Sequence, residues 1–253
     1  MSPAIDRQRQ IFFGYLDIDG ATEYKYETHR GHWKAAFLHF FEDFPDYLGD
    51  AQKTLFARLK HPQLQPLNFW KALGDGIVYT GEFATPNEAY AYSKAFYNAS
   101  VHFNDYLFKR SGLWVKAASW FATFPEVNLA IKTPAGEDYL GPDIDIGFRL
   151  AAHALSQRML VAMDLAYELT FADFVDELDF YHVGWRKMKG VAKDKPYPVL
   201  MITGRAKPEI PIWESYLNDL TRNYIEGSPL SPGQVRDLID RYKRDLHFEK
   251  DRI

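Results

Sequence analysis

Two stretches, GYLDIDG at 14–20 and WKALGDG at 70–76, constrain this chain most. Each places an aspartate, Asp17 or Asp75, at the end of an apolar, strand-like run. A strand rich in Ile, Phe and Tyr has no structural need of a carboxylate where it stops. Two carboxylates delivered from strand ends suit a divalent metal, which takes oxygen ligands. The second stretch also dictates a local shape. Leu67–Leu73 and Ile77–Phe83 flank Gly74-Asp75-Gly76, and Asp-Gly is a strong tight-turn signal because both central positions tolerate positive φ. A hairpin is expected there. Taken singly, Asp75 also reads as a plain turn former and Asp17 as a solvated strand end.

The rest of the pattern alternates helix and strand. Ile11–Ile18 reads as a buried strand. From Thr22 to Lys60 the pattern is helical, with Phe37, Phe40, Phe41 and Phe44 at spacings of three and four, and Pro45 and Gly49 are expected to interrupt it. Thr85-Pro86-Asn87-Glu88 holds an N-cap, a proline and a capping-box glutamate at the offsets of a helix start. Tyr92, Phe96, Ala99, Phe103 and Tyr106 then share one face. Leu113–Phe124 is strand-like, Asp143–Leu155 helical, and Met159–Met163 a short strand followed by a helical turn ending near Leu169. Phe180–Lys189 and Tyr197–Thr203 read as a closing pair of strands. This order predicts an α/β (α+β) sandwich with a largely antiparallel sheet, not a doubly wound parallel one. After Arg205, Pro208, Pro211, Pro229 and Pro232 punctuate the chain, and Pro232–His247 is a charged helical segment. The expected organisation is a lead at 1–8, a catalytic domain at 9–204 and a partly helical extension at 205–253 that docks on a partner or covers the core.

Composition narrows the function. A chain of 253 residues, 47% hydrophobic, can bury one full core. A net charge of −4 gives no electrostatic case for broad nucleic-acid binding, so none is expected. With no cysteine, disulfides, zinc-thiolate sites and thiol catalysis are excluded. The polar start MSPAIDRQRQ is unlike a signal peptide and no run reaches membrane-span length, so no membrane insertion and a cytoplasmic location are expected. The eight histidines show no metal spacing; His29 and His32, three apart on a predicted helix, have no third partner.

LDIDGATEYK, WKALGDGIVYTGEF, EDYLGPDIDIGFRLAAHALSQRMLVA and WRKMKG, in this order, resemble the class III nucleotidyl cyclase catalytic domain over roughly residues 9–203. The resemblance implies a ferredoxin-like α/β core that works as a head-to-tail homodimer with two shared sites. It also implies conversion of a nucleoside triphosphate to a 3′,5′-cyclic monophosphate and pyrophosphate, with two divalent cations, Mg²⁺ or Mn²⁺. Asp17 and Asp75 match the family's metal aspartates, and the carbonyl of Ile18 an additional ligand. Arg149 matches the arginine that stabilises charge on the α-phosphate, and Lys189 the lysine that holds the terminal phosphates. Lys71 and Asp138 match the base-reading positions, in an adenine-type pair. Asp17, Ile18 and Asp75 are expected from one subunit, and Lys71, Asp138, Asp145, Arg149 and Lys189 from the other.

The sequence also departs from that pattern. Position 145 normally carries asparagine and here is aspartate. Either the ribose contacts differ, or Asp145 restrains Arg149 four residues on, or it accepts the 3′-hydroxyl proton. Asp19 stands where an apolar residue is usual, and Ala21 where phenylalanine is usual. Trp120 and Phe121 fall where many relatives have glycine and a small or basic residue, which is expected to narrow the cleft against a purine. With these substitutions the chain looks like the bacterial stand-alone pyrimidine cyclases of Pycsar antiphage defence, which make cUMP or cCMP for a separate cyclic-nucleotide-binding effector. The resemblance favours UTP over CTP. The alternatives are an adenylate cyclase and a non-catalytic nucleotide-sensing domain.

Overall fold

The structure, a computed structural model, describes residues 8–27, 33–60, 63–134, 136–192, 195–204 and 228–248. His29, His32, Pro208 and Pro211 lie outside them, as does the lead up to residue 7. A seven-stranded sheet has the order β2-β3-β1-β4-β7-β9-β8. The strands are β1 (Arg9–Asp19), β2 (Asn68–Leu73), β3 (Gly76–Phe83), β4 (Trp114–Phe124), β7 (Met159–Val161), β8 (Leu178–Lys187) and β9 (Pro196–Gly204). Every pairing in it is antiparallel except β4 with β7. The α+β sandwich expected from the element order is therefore present.

The alternation of β1 sorts the two faces of the sheet. Phe12 meets Tyr92 and Phe96 of α3 (Pro86–Ser111), and Gly14 lies under Phe96. Phe13 and Tyr15 point the other way, toward Trp120 and toward Phe148 of α4 (Pro142–Ala151). Asp17 follows in that second row. The first face is covered by α3 and α2 (Trp33–Arg58), which pack on each other through Phe40, Phe44 and Phe103. A short α1 (Ala21–Glu27) leaves the end of β1. Thr85 caps α3 as expected: its hydroxyl accepts from the Glu88 N–H, while the Glu88 carboxylate accepts from the Ala84 N–H at 2.7 Å.

Four sequence expectations are corrected. Helix α2 runs unbroken through Pro45 and Gly49. An internal proline costs about 3 kcal/mol and a glycine about 1 kcal/mol. Burying Phe40, Phe44 and Leu48 returns roughly 1.5–3 kcal/mol each and outweighs both. In the β2–β3 hairpin, Leu73 pairs with Gly76, so the turn pair is Gly74-Asp75, with Gly74 at φ +67°, and not Asp75-Gly76. Helix α4 stops at Ala151, short of Leu155, where the chain closes into three-residue turns at His153 and Ala154. Strand β8 ends at Lys187, leaving Lys189 in the turn beyond. A hairpin of β5 (Leu129–Thr133) and β6 (Gly136–Leu140) also stands apart from the main sheet and was not anticipated. The order is completed by α5 (Met163–Leu169), a 3₁₀ turn at Val175–Glu177, and α6 (Pro232–Phe248) packed on α5. No helix is long and apolar enough to cross a membrane among the described residues.

Candidate active site

The end of β1 gathers the first group. Asp17 pairs in register with Gly76 on one side and Lys116 on the other. The Ile18 N–H donates to the Asp75 carbonyl at 3.3 Å, which fastens the turn of the β2–β3 hairpin to the strand. In a strand, one residue's N–H and C=O point to the same side. The Ile18 carbonyl therefore faces the Asp75 turn, while its side chain, 2% exposed, belongs to the core. The structure thus brings Asp17, Ile18 and Asp75 together as the sequence suggested. Gly76 is required here because a β-carbon would lie 2.6 Å from the Tyr15 ring at Cζ. That close approach leaves room for the Tyr15 hydroxyl to donate to Asp17.

One member of this group was not anticipated. Lys116 places Nζ 3.4 Å from Asp17 Oδ2 and 3.8 Å from Asp19 Oδ1. Asp19 in turn accepts from the Ser156 hydroxyl. The departure at position 19 is thus occupied: a third carboxylate shares the ammonium of Lys116 and ties β1 to the loop after α4. Burial, more than anything else, pushes the Asp17 carboxyl above the ordinary aspartate range. Lys116 pulls it down, the Asp75 charge pushes it up, and the Tyr15 hydroxyl pulls it down again. The same surroundings, burial first, raise the Tyr15 phenol well beyond its usual value, so it stays a donor. Two carboxylates and a backbone carbonyl form an all-oxygen set, which fits Mg²⁺ or Mn²⁺ and not a soft metal.

The second group sits on the same face of the sheet. A bulge between Phe69 and Lys71 brings both Trp70 and Lys71 toward β6. Lys71 Nζ donates to Asp138 Oδ1 at 2.6 Å and lies 4.0 Å from the centre of the Trp70 ring. Trp70 itself donates to the Glu137 carbonyl at 3.0 Å. The Lys71 hydrogen bond is the main reason the Asp138 carboxyl sits below its usual range.

The third group belongs to α4 and the turn after β8. Helix α4 begins at Gly141, where φ of +147° and the adjacent Asn128 side chain leave no room for a β-carbon. Asn128 donates to Asp143 at 2.6 Å and accepts from the Asp143 N–H at 3.2 Å, fixing the first turn. Asp145 is exposed and Arg149 half-buried. No ion pair joins them among the described residues, so the structure does not show Asp145 restraining Arg149. A β-carbon on Gly190 would lie 3.9 Å from Arg149 Nη2, which sets the Lys189 turn beside the arginine. Trp120 is fully buried, stacked on Phe13 at 5.4 Å and pressed against Gly147. It does not line an open cleft, and Phe121 packs on Phe83, on the other face of the sheet. The expected narrowing of the cleft by these two side chains is therefore absent; Trp120 acts on the site through the seating of α4. The three groups flank one aromatic layer: between ring centres, Trp70 lies 5.4 Å from Phe13 and 6.4 Å from Phe148, and Tyr15 lies 6.0 Å from Phe148.

No protein-family model matches this sequence, and no curated protein matches it. Solved structures do. The adenylyl cyclase CyaB from P. aeruginosa superposes with a TM-score of 0.56 at 12% identity, over 79% of this chain and 97% of that one. The guanylate cyclase domain of RhGC from Catenaria anguillulae, solved with GTP, gives 0.55 at 9% identity, over 79% and 99%. The guanylyl cyclase Cya2 gives 0.52 at 12% identity, over 81% and 96%. The fold is that of class III nucleotidyl cyclase catalytic domains.

Proposed function

We propose that this chain is a nucleotidyl cyclase, converting a nucleoside triphosphate to its 3′,5′-cyclic monophosphate and pyrophosphate. The observation that carries the reading is the oxygen cluster at the end of β1, where Asp17, the Asp75 turn and the inward Ile18 carbonyl meet in a cyclase fold. In the reaction the ribose 3′-oxygen bonds to the α-phosphorus, the bond from that phosphorus to the pyrophosphate oxygen breaks, and the 3′-hydroxyl proton leaves. Two divalent cations, when bound, neutralise phosphate charge and acidify that hydroxyl. Asp17, Asp75 and Ile18 hold them. Arg149 stabilises charge gathering on the α-phosphate, and Lys189 holds the terminal phosphates. Asp145 contacts ribose, restrains Arg149 in the filled site, or takes the 3′-proton. The resemblance supports a homodimer, in which Asp17, Ile18 and Asp75 of one subunit face Lys71, Asp138, Asp145, Arg149 and Lys189 of the other.

The substrate reading is a pyrimidine triphosphate, UTP before CTP, with the cyclic product signalling to a separate effector in antiphage defence. Its support is the resemblance to stand-alone pyrimidine cyclases. A second reading, ATP, is favoured by the Lys71–Asp138 pair, already formed at 2.6 Å. That pair does not decide between them. It offers one donor and one acceptor, and uracil, cytosine, adenine and guanine each present a matching acceptor beside a donor. Pocket size, beyond this pair, is what separates one ring from two. The test is purified protein with Mn²⁺ and each of ATP, GTP, CTP and UTP, products resolved by mass. Cyclic UMP or CMP supports the proposal. Cyclic AMP alone overturns the pyrimidine reading, and no product from any of the four shifts the chain to nucleotide sensing without turnover.

A further inference from the structure

The C-terminal helix α6 braces one half of the site. Strand β9 pairs with β7 only at Leu200–Ile202, yet it continues beside β8 down to Pro196 opposite Lys187. Beyond Val199 the two strands run on as an arm with no third strand beside it among the described residues. A two-stranded ribbon alone is marginally stable in water. The arm also starts at a bulge, between His182 and Gly184, with Gly184 at φ +122°. Its direction is therefore set by whatever packs against it.

Two elements pack against it: α5, whose Met163 N–H donates to the Tyr197 hydroxyl at 2.9 Å, and α6 through Tyr242. The Tyr242 ring lies 5.8 Å from that of Trp185 on β8 and 6.2 Å from that of Tyr197 on β9, and the residue is 7% exposed. The helix is held firmly behind that contact. Val235 and Ile239 are fully buried, Lys243 pairs with Asp164 of α5 at 2.6 Å, and Arg236 donates to the Thr170 carbonyl at 3.1 Å. Just before the helix, the Leu230 N–H donates to the Phe180 carbonyl at 2.7 Å, at the root of β8. At the far end of the arm, buried Met188 and Val191 pin the turn that sets Lys189 beside Arg149.

We infer that Tyr242 is a positioning residue: it sets the angle of the β8–β9 arm and, through it, where Lys189 meets the terminal phosphates. The inference rests on the reading of Lys189 as a phosphate-binding residue. The hydroxyl of Tyr242 is buried with no partner, so the ring alone does this. The test uses the full chain. Tyr242→Ala raises KM for the triphosphate and the inhibition constant of inorganic pyrophosphate roughly 10-fold, with a smaller change in kcat, while Tyr242→Phe behaves as wild type. In a Lys189→Ala background the added Tyr242→Ala change has little further effect, because the two act as one unit. Additive losses, or a loss in kcat alone, overturn the inference. Amide hydrogen exchange gives a readout that needs no turnover. Faster exchange confined to 185–190 in Tyr242→Ala supports the brace even if no triphosphate is cyclised, and unchanged exchange there sinks it.

Discussion

Replacing Gly147 by alanine tests how the buried tryptophan seats the arginine helix. A β-carbon at 147 would lie 2.6 Å from Cγ of Trp120 and nearer still to its Cδ2 and Cε2, where relaxed carbon contacts are about 3.5–4.0 Å. A minimum of about 1 Å of separation must therefore open. Trp120 cannot yield, because it is fully buried, stacked on Phe13 with 2° between the ring planes, and flanked by Phe148 at 5.1 Å. Helix α4 moves instead, and Arg149 lies two residues along it. Overpacking of this kind costs about 1–3 kcal/mol, offset by about 1 kcal/mol from alanine's better helix propensity. The net loss of up to about 2 kcal/mol lowers Tm by up to roughly 8 °C in a chain of this size. Turnover falls much further, on the order of 10²-fold, because a 1 Å error in a charge-stabilising group is felt in the transition state. Thermal unfolding and initial-rate assays on the same preparation give both numbers. The Trp120 Nε1–H has no hydrogen-bond partner, so Trp120→Phe loses contact area only, and the Gly147→Ala/Trp120→Phe double variant recovers much of both losses. A Gly147→Ala protein with wild-type Tm and turnover would refute the argument, as would a double variant no better than the single one.

Two further predictions concern the metal end and the dimer. Because burial and Asp75 raise the Asp17 carboxyl, the fold favours its neutral form; that stabilisation is complete below the unfolded-state value and is lost as pH rises through the folded one. Asp17→Asn, permanently neutral, therefore raises the metal-free Tm at neutral pH, yet it abolishes turnover and the increase in Tm on adding Mn²⁺; lower stability, or an undiminished Mn²⁺ response, contradicts this. Asp17→Ala and Arg149→Ala chains are each nearly inactive alone, and mixing them restores one working site in every heterodimer; a confirmed heterodimer without activity argues against shared sites.

The parts legible in the sequence are those with local causes. The capping box at Thr85–Glu88 specifies its helix start through contacts within four residues, and it forms as written. The apolar run of β1 and the glycine turn at 74–76 put Asp17 at a strand end and Asp75 in a hairpin turn from local cues, and the β1–β3 pairing then brings them together. Where tertiary packing overrides local preference, the reading failed. Pro45 signals a break, but the breaking cost is smaller than the burial of the phenylalanines around it. The β5–β6 hairpin has mostly exposed or half-buried strands and so shows no clean alternation, although Pro134 and Gly136 at its tip are turn residues. Lys116 could not be found locally at all. It becomes an active-site cation only through the register that sets it opposite Asp17, and register between strands a hundred residues apart is a property of the assembled sheet. The steric expectation for Trp120 failed for the same reason, since which face a strand residue takes depends on that register.

In the proposed site, the Ile18 carbonyl is an oxygen donor beyond the reach of mutation. Every amino acid brings the same carbonyl to position 18, so no codon change there can delete the donor. What inheritance can alter is the side chain behind it, which meets only the greasy interior. Selection at this position is therefore blind to the chemistry and sees only fit. A comparison of related genes is expected to make residue 18 look like ordinary filling, open to valine or leucine, beside an unvarying Asp17.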